Sequence, residues 1–363
     1  MFYRAIGLMS GSSLDGLDIV FAEFAEQAGK WSYEIKEADC YPFEEALKEQ
    51  LKDAKDLSAY DYLLLHSAFG KYLGEQVNKF IDAHGLHHQV QLVSSHGHTV
   101  FHAPEKNMTS QLGDGAAIAA TTGINVVSDL RAMDVALGGQ GAPIVPMGEK
   151  LLLNEYPLLL NIGGIANISY RSNDHYIAFD ICPANRVLNM IAATQNLSYD
   201  EDGQLASKGK VLTDVLQQLN ALDYYHQPFP KSLANHFGTD EIFPLIPVEH
   251  ITDALRTYVE HIVVQVKTSI ISLNVEYATP GLQLLVTGGG AHNKFLVQRL
   301  QEELSLLNIE VIVPDKRIVD YKEALIMALL GILRWREQNT VLSSVTGANR
   351  DSIGGAVWMG QEA

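Results

Sequence analysis

The stretch Ile6 to Asp18, IGLMSGSSLDGLD, followed at once by the apolar run Ile19 to Phe24, decides how this chain is read. An apolar segment runs into a Gly/Ser turn and a second apolar segment leaves it. That is the pattern of a β-hairpin whose tip uses residues that tolerate tight backbone geometry. Gly11, Ser12 and Ser13 offer backbone N–H groups and hydroxyls with little bulk, which suits a phosphate. Asp15 and Asp18 add carboxylates beside the turn, where a magnesium ion held through water can sit. A surface hairpin with ordinary turn residues reads the same way locally. Further turns of the same kind elsewhere in the chain favour the ligand reading.

Tyr156 to Tyr170, YPLLLNIGGIANISY, repeats the design with Gly163-Gly164 at its tip and Asn167 in the returning strand. A third extended segment follows each hairpin: Lys30 to Tyr41 after the first, and His175 to Phe179, ending at Asp180, after the second. The β-β-β start therefore occurs twice, from Phe2 and from Pro157, which is the signature of an internal duplication. A third glycine turn, Gly288-Gly289-Gly290, lies between the apolar strand Gln283 to Thr287 and a helix from Lys294 to Leu304. Backbone amides at such a junction favour an anion or a sugar hydroxyl, although glycines there also permit plain tight packing.

Helical periodicity covers Glu44 to Ala54, Tyr60 to His84, Asn185 to Thr194, Val211 to Leu222, Ile251 to Leu273 and Tyr321 to Arg336. Short apolar strands stand between them at Val90 to Ser94, Asn125 to Ser128 and Ile309 to Val313. The class is α/β. At 363 residues the chain fits about two domains. The expected division is 1–150 and 151–363, with the tail near 340–363 packing back on the first domain.

With 26 Lys and Arg against 43 Asp and Glu, the net charge is −17, and there is no basic block. Nucleic acid and anionic membranes are thereby poor partners, and a polyanionic ligand must be held by local backbone dipoles and a metal. The longest apolar run, Ala324 to Leu333, is far short of the roughly 20 residues that span a bilayer. Met1 to Ile6 lacks the apolar core of a signal peptide, and Cys40 and Cys182 have no paired spacing, so the expected compartment is the cytoplasm.

Polar groups gather where open α/β sheets keep their ligands. Ser95-His96-Gly97-His98 ends one strand. His96, His98 and His102 have no clustered carboxylate or thiol, so they read as loop or substrate contacts ahead of transition-metal ligands. Asp129, Arg131 and Asp134, followed by Gly138-Gly139-Gln140-Gly141, form a polar wall; an internal Arg–Asp pair holding the loop is the competing reading.

These turns on duplicated β-β-β halves resemble the sugar-kinase and actin-like ATPase (ribonuclease H-like) fold, in which two such domains face a central cleft. SGSSLDGLD (Ser10 to Asp18), SHGHTVFHAP (Ser95 to Pro104), GGQGAPIVP (Gly138 to Pro146), LNIGGIANIS (Leu160 to Ser169) and VTGGGAHN (Val286 to Asn293) narrow the match. Together they resemble, in order and over most of the chain, the motifs of the bacterial anhydro-N-acetylmuramic acid kinases. The resemblance implies an enzyme that uses ATP, Mg2+ and water to open the 1,6-anhydro bridge and phosphorylate the 6-oxygen, in cell-wall recycling. It implies a homodimer, and ATP and the sugar as partners.

Carried over by position, Gly11, Ser12, Ser13, Leu14, Asp15, Gly16, Leu17 and Asp18 would contact ATP, with Asp15 near the metal. Gly163, Gly164 and Asn167, then Gly288, Gly289 and Gly290, would complete the nucleotide site. His96, Asp129, Arg131, Asp134, Gln140 and Asn185 would meet the sugar. Asp180 matches the family's catalytic aspartate, and its competing reading is a helix or loop carboxylate. Glu323 matches a further acidic position, but Asp320 to Glu323 also has capping-box spacing. Cys182 reads as a small packing residue, since no histidine base stands beside it.

The chain departs from the family pattern at Ile181 to Ala184 and at Leu233 to Phe237, both where sugar contacts are expected. A kinase for another small sugar therefore remains open, as does a nucleotide-binding regulator that phosphorylates nothing.

Overall fold

The computed structural model describes residues 1–11, 14–172, 175–234, 236–275 and 281–360. In chain order its elements are β1 (Phe2–Ser10), β2 (Gly16–Gln27), β3 (Lys30–Pro42), α1 (Glu45–Asp53), α2 (Ala59–His84), β4 (Leu92–Ser95), β5 (His98–Ala103) and β6 (Met108–Leu112). They continue as α3 (Gly115–Thr122), β7 (Val126–Ser128), α4 (Ala132–Ala136), α5 (Val145–Leu152), β8 (Leu158–Ile162), β9 (Ile165–Ser172), β10 (His175–Pro183) and α6 (Asn185–Ala193). The remainder is α7 (Thr213–Asn220), α8 (Ile251–Ser272), β11 (Leu282–Thr287), α9 (Lys294–Ser305), β12 (Ile309–Ile312), α10 (Lys316–Trp335), α11 (Ser343–Thr346) and β13 (Ala356–Trp358).

The chain forms two units: Met1–Asn154 with Tyr321–Ala363, and Glu155–Asp320. From sequence the division is expected at 150/151, with only the tail near 340–363 returning to the first domain. The boundary at 154 lies close to the expected 150, but the first unit takes back a longer terminal piece, beginning inside α10. The physical reason is the apolar run Ala324 to Leu333, most of which is completely buried. A Cβ at Gly7 on β1 would collide with the Ala324 carbonyl, and one at Gly331 would lie 2.5 Å from the Ser94 Cβ on β4. The helix backbone is pressed onto the sheet at both points, so the first unit has no complete core without it.

In the first unit the sheet order is β13-β7-β4-β1-β2-β3. β1, β2 and β3 form an antiparallel meander, while β4 and β7 extend it in parallel from β1. The second unit has the order β10-β9-β8-β11-β12, again an antiparallel meander from which β11 and β12 extend in parallel. Read from the third strand, both units run third-second-first-fourth-fifth. The duplication seen in the sequence is thus a duplication of sheet topology. Parallel neighbours need long crossovers, supplied by α1 and α2 in one unit and by α6 to α8 in the other.

The β5–β6 hairpin is not legible in the sequence. It is an antiparallel pair that starts at His98↔Leu112 with a bulge near Val100; β5 (HTVFHA) sets two histidines around an apolar pair and β6 (MTSQL) is mostly polar, so neither shows the regular alternation that marks a strand.

Candidate functional site

In the second unit the two glycine turns meet, although about 125 residues separate them in the chain. The tip of the β8–β9 hairpin is closed by the Gly163 N–H donating to the Ile165 carbonyl (3.2 Å). The Gly163 and Gly164 carbonyls accept from the first amides of α6: Asn185 N–H to Gly163 at 3.1 Å and Ala184 N–H to Gly164 at 2.8 Å. The turn therefore caps the helix that follows the meander. The Asn185 side-chain amide donates to the Ile162 carbonyl (3.0 Å), and its Oδ1 would lie 3.1 Å from a Cβ on Gly290. Asn185 joins the two turns.

The glycines are of two kinds. Gly288 has φ +79, and a Cβ there would meet the Ile162 carbonyl at 2.8 Å; one on Gly290 would collide with the Ile162 side chain. Backbone approach requires both. A Cβ on Gly163, Gly164 or Gly289 would find its nearest atoms beyond the chain neighbours at 3.6, 3.8 and 3.5 Å, ordinary contact distances. Nothing in the fold demands glycine there, and Gly164 and Gly289 are exposed. Bare backbone with room above it suits a phosphate or a nucleoside, so these residues fit a nucleotide. Asn167 is half-buried on β9, opposite Asp180 in the pairing.

Asp180 lies on β10, the edge strand, where a bulge between Asp180 and Cys182 interrupts the register. Its Oδ2 accepts the Leu233 N–H (2.9 Å), and its Oδ1 has no hydrogen-bond partner among the described residues. Burial pushes its pKa above the usual carboxylate range, and the Leu233 amide partly opposes that shift. Its backbone N–H donates to the Lys231 carbonyl (3.2 Å), and its carbonyl accepts the Tyr224 hydroxyl (2.7 Å). Cys182 is fully buried, and burial pushes its thiol pKa upward, away from thiolate chemistry.

In the first unit, Ser12 and Ser13 of the opening hairpin lie outside the described residues. Around them the Leu14 N–H donates to the Gly11 carbonyl (3.3 Å), with Leu14 at φ +59. Asp15 is exposed, and its carboxylate makes no hydrogen bond to a described residue. A carboxylate free beside a tight turn fits a magnesium ion. Gly16, Leu17 and Asp18 already belong to β2; Gly16 is held bare by the Tyr41 carbonyl, and Leu17 points into the core.

His96 is buried at the end of β4. Its Nδ1 contacts the Gly97 carbonyl (2.9 Å) and its Nε2 contacts Arg131 Nε (2.8 Å). A carbonyl only accepts, so Nδ1 carries the proton and Nε2 accepts from the guanidinium. Burial, with the adjacent Arg131, lowers the His96 pKa to about 3, so the ring is neutral. Arg131 Nη1 also donates to the Gly141 carbonyl (2.5 Å). Asp134 is completely buried: Oδ2 accepts the Gly141 N–H (2.7 Å) and Oδ1 accepts the Thr346 hydroxyl (2.7 Å). Its carboxylate is spent on the glycine loop and the C-terminal segment. Asp129 is exposed at the end of β7 with φ +55, and Gln140 is exposed with its N–H on the Thr346 carbonyl (2.8 Å). Thr346 is the residue that reading the sequence misses; only contact across the fold reveals it.

Glu323 is half-buried inside α10. The capping-box reading fails because the helix starts at Lys316, where Asp315 Oδ1 accepts the Arg317 (2.9 Å) and Ile318 (3.3 Å) amides. Asp320 instead pairs with His292 (2.5 Å). Burial raises the Glu323 pKa, against the opposing pull of Lys322 and Arg131. Lys322 itself is buried and paired with Glu149 at 2.7 Å.

Two α/β units of one sheet topology, each with a glycine turn at the tip of its first hairpin, make up a duplicated fold of the class expected from the sequence. Among solved structures, an activator of the 2-hydroxyisocaproyl-CoA dehydratase from Clostridium difficile aligns over 92% of this chain and 96% of its own, at 15% identity and a TM-score of 0.46. The family model for anhydro-N-acetylmuramic acid kinase matches residues 3–360. Relatives of that description from Hydrogenovibrio crunogenus and Aliivibrio fischeri are 35% and 34% identical, over 97% and 98% of this chain and 97% and 99% of theirs. One from Haemophilus influenzae is 32% identical over 97% of both. The chain belongs to the anhydro-N-acetylmuramic acid kinase family, and it is an enzyme, a kinase acting on a sugar with ATP. Among the described residues, no helix is long and apolar enough to cross a membrane.

Proposed function

We propose that the enzyme opens the 1,6-anhydro bridge of anhydro-N-acetylmuramic acid with water and phosphorylates O6, with Asp180 as the general base. The anhydro sugar has no free 6-hydroxyl, so the proton to be removed belongs to water. Water adds to the anomeric carbon and gives its proton to Asp180. The bond from that carbon to O6 breaks, O6 takes the γ-phosphoryl group, and ADP leaves. The observation that carries this reading is the Asp180 carboxylate: one oxygen is anchored by the Leu233 amide, the other bonds to no described residue, and burial raises its basicity.

Gly163, Gly164, Asn167 and Gly288 to Gly290, with the turn from Gly11 to Asp18, hold the nucleotide. Asp15 would hold Mg2+, which when bound neutralises phosphate charge. Asp129, Gln140 and the remaining Nη2 of Arg131 meet the sugar. His96 and Asp134, whose polar groups are already engaged, support those contacts, and Asn185, bonded to the Ile162 carbonyl, supports the glycine turns of the second unit. Glu323 serves as a second carboxylate toward the sugar. On the family resemblance the enzyme works as a cytoplasmic homodimer.

The replaced Leu233 side chain does not weaken this reading, because Asp180 is met there by backbone. Asn235, within the same altered stretch, lies outside the described residues.

The test is ADP release with Mg–ATP, with and without the anhydro sugar, alongside mass spectrometry of the product. The expected sugar gains one phosphate and one water, and Asp180→Asn loses activity by roughly 10²–10⁴-fold. Near-normal turnover in Asp180→Asn would remove it as the base.

A further inference from the structure

The segment Tyr224 to Leu233 runs along the outer edge of β10 and takes hold of residue 180 at three points. The Lys231 carbonyl accepts the Asp180 N–H (3.2 Å), the Tyr224 hydroxyl donates to the Asp180 carbonyl (2.7 Å), and the Leu233 N–H donates to Oδ2 (2.9 Å). The segment is also tied to itself. Lys231 Nζ donates to the Tyr224 carbonyl (3.2 Å) and sits 4.6 Å from the centre of the Tyr224 ring. Phe229 stacks on Phe179, the neighbour of Asp180, with ring centres 5.2 Å apart and planes 5° apart.

The bulge after Asp180 explains why such a grip matters. Pairing with β9 shifts register between Asp180 and Cys182, so the sheet alone does not set the direction of the carboxylate. A general base must be held within hydrogen-bond reach of its proton, and small misplacements cost large factors in rate.

We propose that the strap Tyr224–Leu233 is a positioning device for Asp180: the Leu233 amide fixes one carboxylate oxygen and leaves the other open, and the Tyr224 hydroxyl fixes the backbone that carries it. The inference rests on Asp180 being the base. Among the described residues, the titratable groups that feel the carboxylate's charge are Tyr224 on the strap and Cys182 on β10, both kept neutral by burial, with the Lys231 cation against the Tyr224 ring. The Leu233 amide lowers the Asp180 pKa, so its loss moves that pKa upward.

The experiment compares Leu233→Pro, which deletes the amide hydrogen, with Leu233→Ala, which keeps it, and adds Tyr224→Phe and Asp180→Asn. The readouts are kcat, KM for ATP, the acid limb of the pH–rate profile, and thermal unfolding. Leu233→Pro is expected to lose about tenfold or more in kcat, with KM for ATP unchanged. Its acid limb moves to higher pH, whereas Leu233→Ala leaves the limb in place. Tyr224→Phe loses several-fold in kcat without a matching loss of stability. A folded Leu233→Pro with wild-type kcat and acid limb overturns the proposal. If Leu233→Pro does not fold, wild-type kcat in Tyr224→Phe overturns it. Loss of activity in Asp180→Asn with both strap variants normal condemns the strap alone, whereas an active Asp180→Asn condemns the base assignment itself.

Discussion

His96 and Ser94 show how differently two buried polar side chains near one strand end are treated. His96 satisfies both ring nitrogens and stays neutral, with a pKa of about 3, so it does not contribute the acid limb of activity. Ser94 is completely buried under Gly331, and its hydroxyl finds no partner among the described residues. An unsatisfied buried hydroxyl costs about 1–3 kcal/mol. Ser94→Ala should therefore leave stability unchanged or raise it, by up to about 2 kcal/mol, as an unchanged or higher midpoint in calorimetry. A clear drop in the midpoint would mean the hydroxyl is satisfied. His96, Asp129, Arg131 and Asp134 are visible in the sequence as a polar wall, because charged and imidazole groups stand out beside strands. Whether Asp134 binds ligand or holds the loop is not visible there. Only the contacts with Gly141 and Thr346, the latter more than 200 residues away, show where its oxygens go.

At the level of elements, the glycine turns are legible because a glycine pair between two apolar runs almost always marks a tight reversal of the backbone. The division of labour among them is not, since it depends on what Ile162 and Asn185 place beside each glycine. That division is testable. Gly164→Ala meets no close protein atom and keeps a backbone that alanine tolerates, so the variant should fold normally while its KM for ATP rises several-fold. Gly290→Ala drives a methyl into Ile162, and overpacking of this kind costs about 1–3 kcal/mol, visible as a lower unfolding midpoint. Equal effects of the two on KM and midpoint would contradict the sorting. The start of α10 escapes a sequence reading for a related reason. Asp315 and Asp320 both precede helical periodicity, and the choice between them is made by which one meets the amides and which one meets His292.

For the whole molecule, duplication is the strongest signal, because each meander repeats an alternation long enough to be recognised twice. The chain's return to the first unit is hidden: a helix that crosses from one unit to the other looks, in sequence, like any other buried helix. The return has a consequence for which fragments fold. Residues 155–320 are one continuous segment with their own sheet and a core that includes Leu160, Ile162, Tyr258, Leu284 and Val319. Expressed alone, this segment should unfold in one cooperative transition with sigmoidal loss of helical circular dichroism. The fragment 1–320 should lose the fold of its first unit, because it lacks the helix that covers β1 and β4 through Gly7, Ser94 and Gly331 and also lacks the β13 edge. Burial of a single Leu or Ile contributes about 1.5–3 kcal/mol, and the missing stretch supplies many such residues. Denaturant unfolding of 1–320 should then show only the transition of the second unit. Two native-like transitions would mean that the first unit's core is complete without residues 321–363.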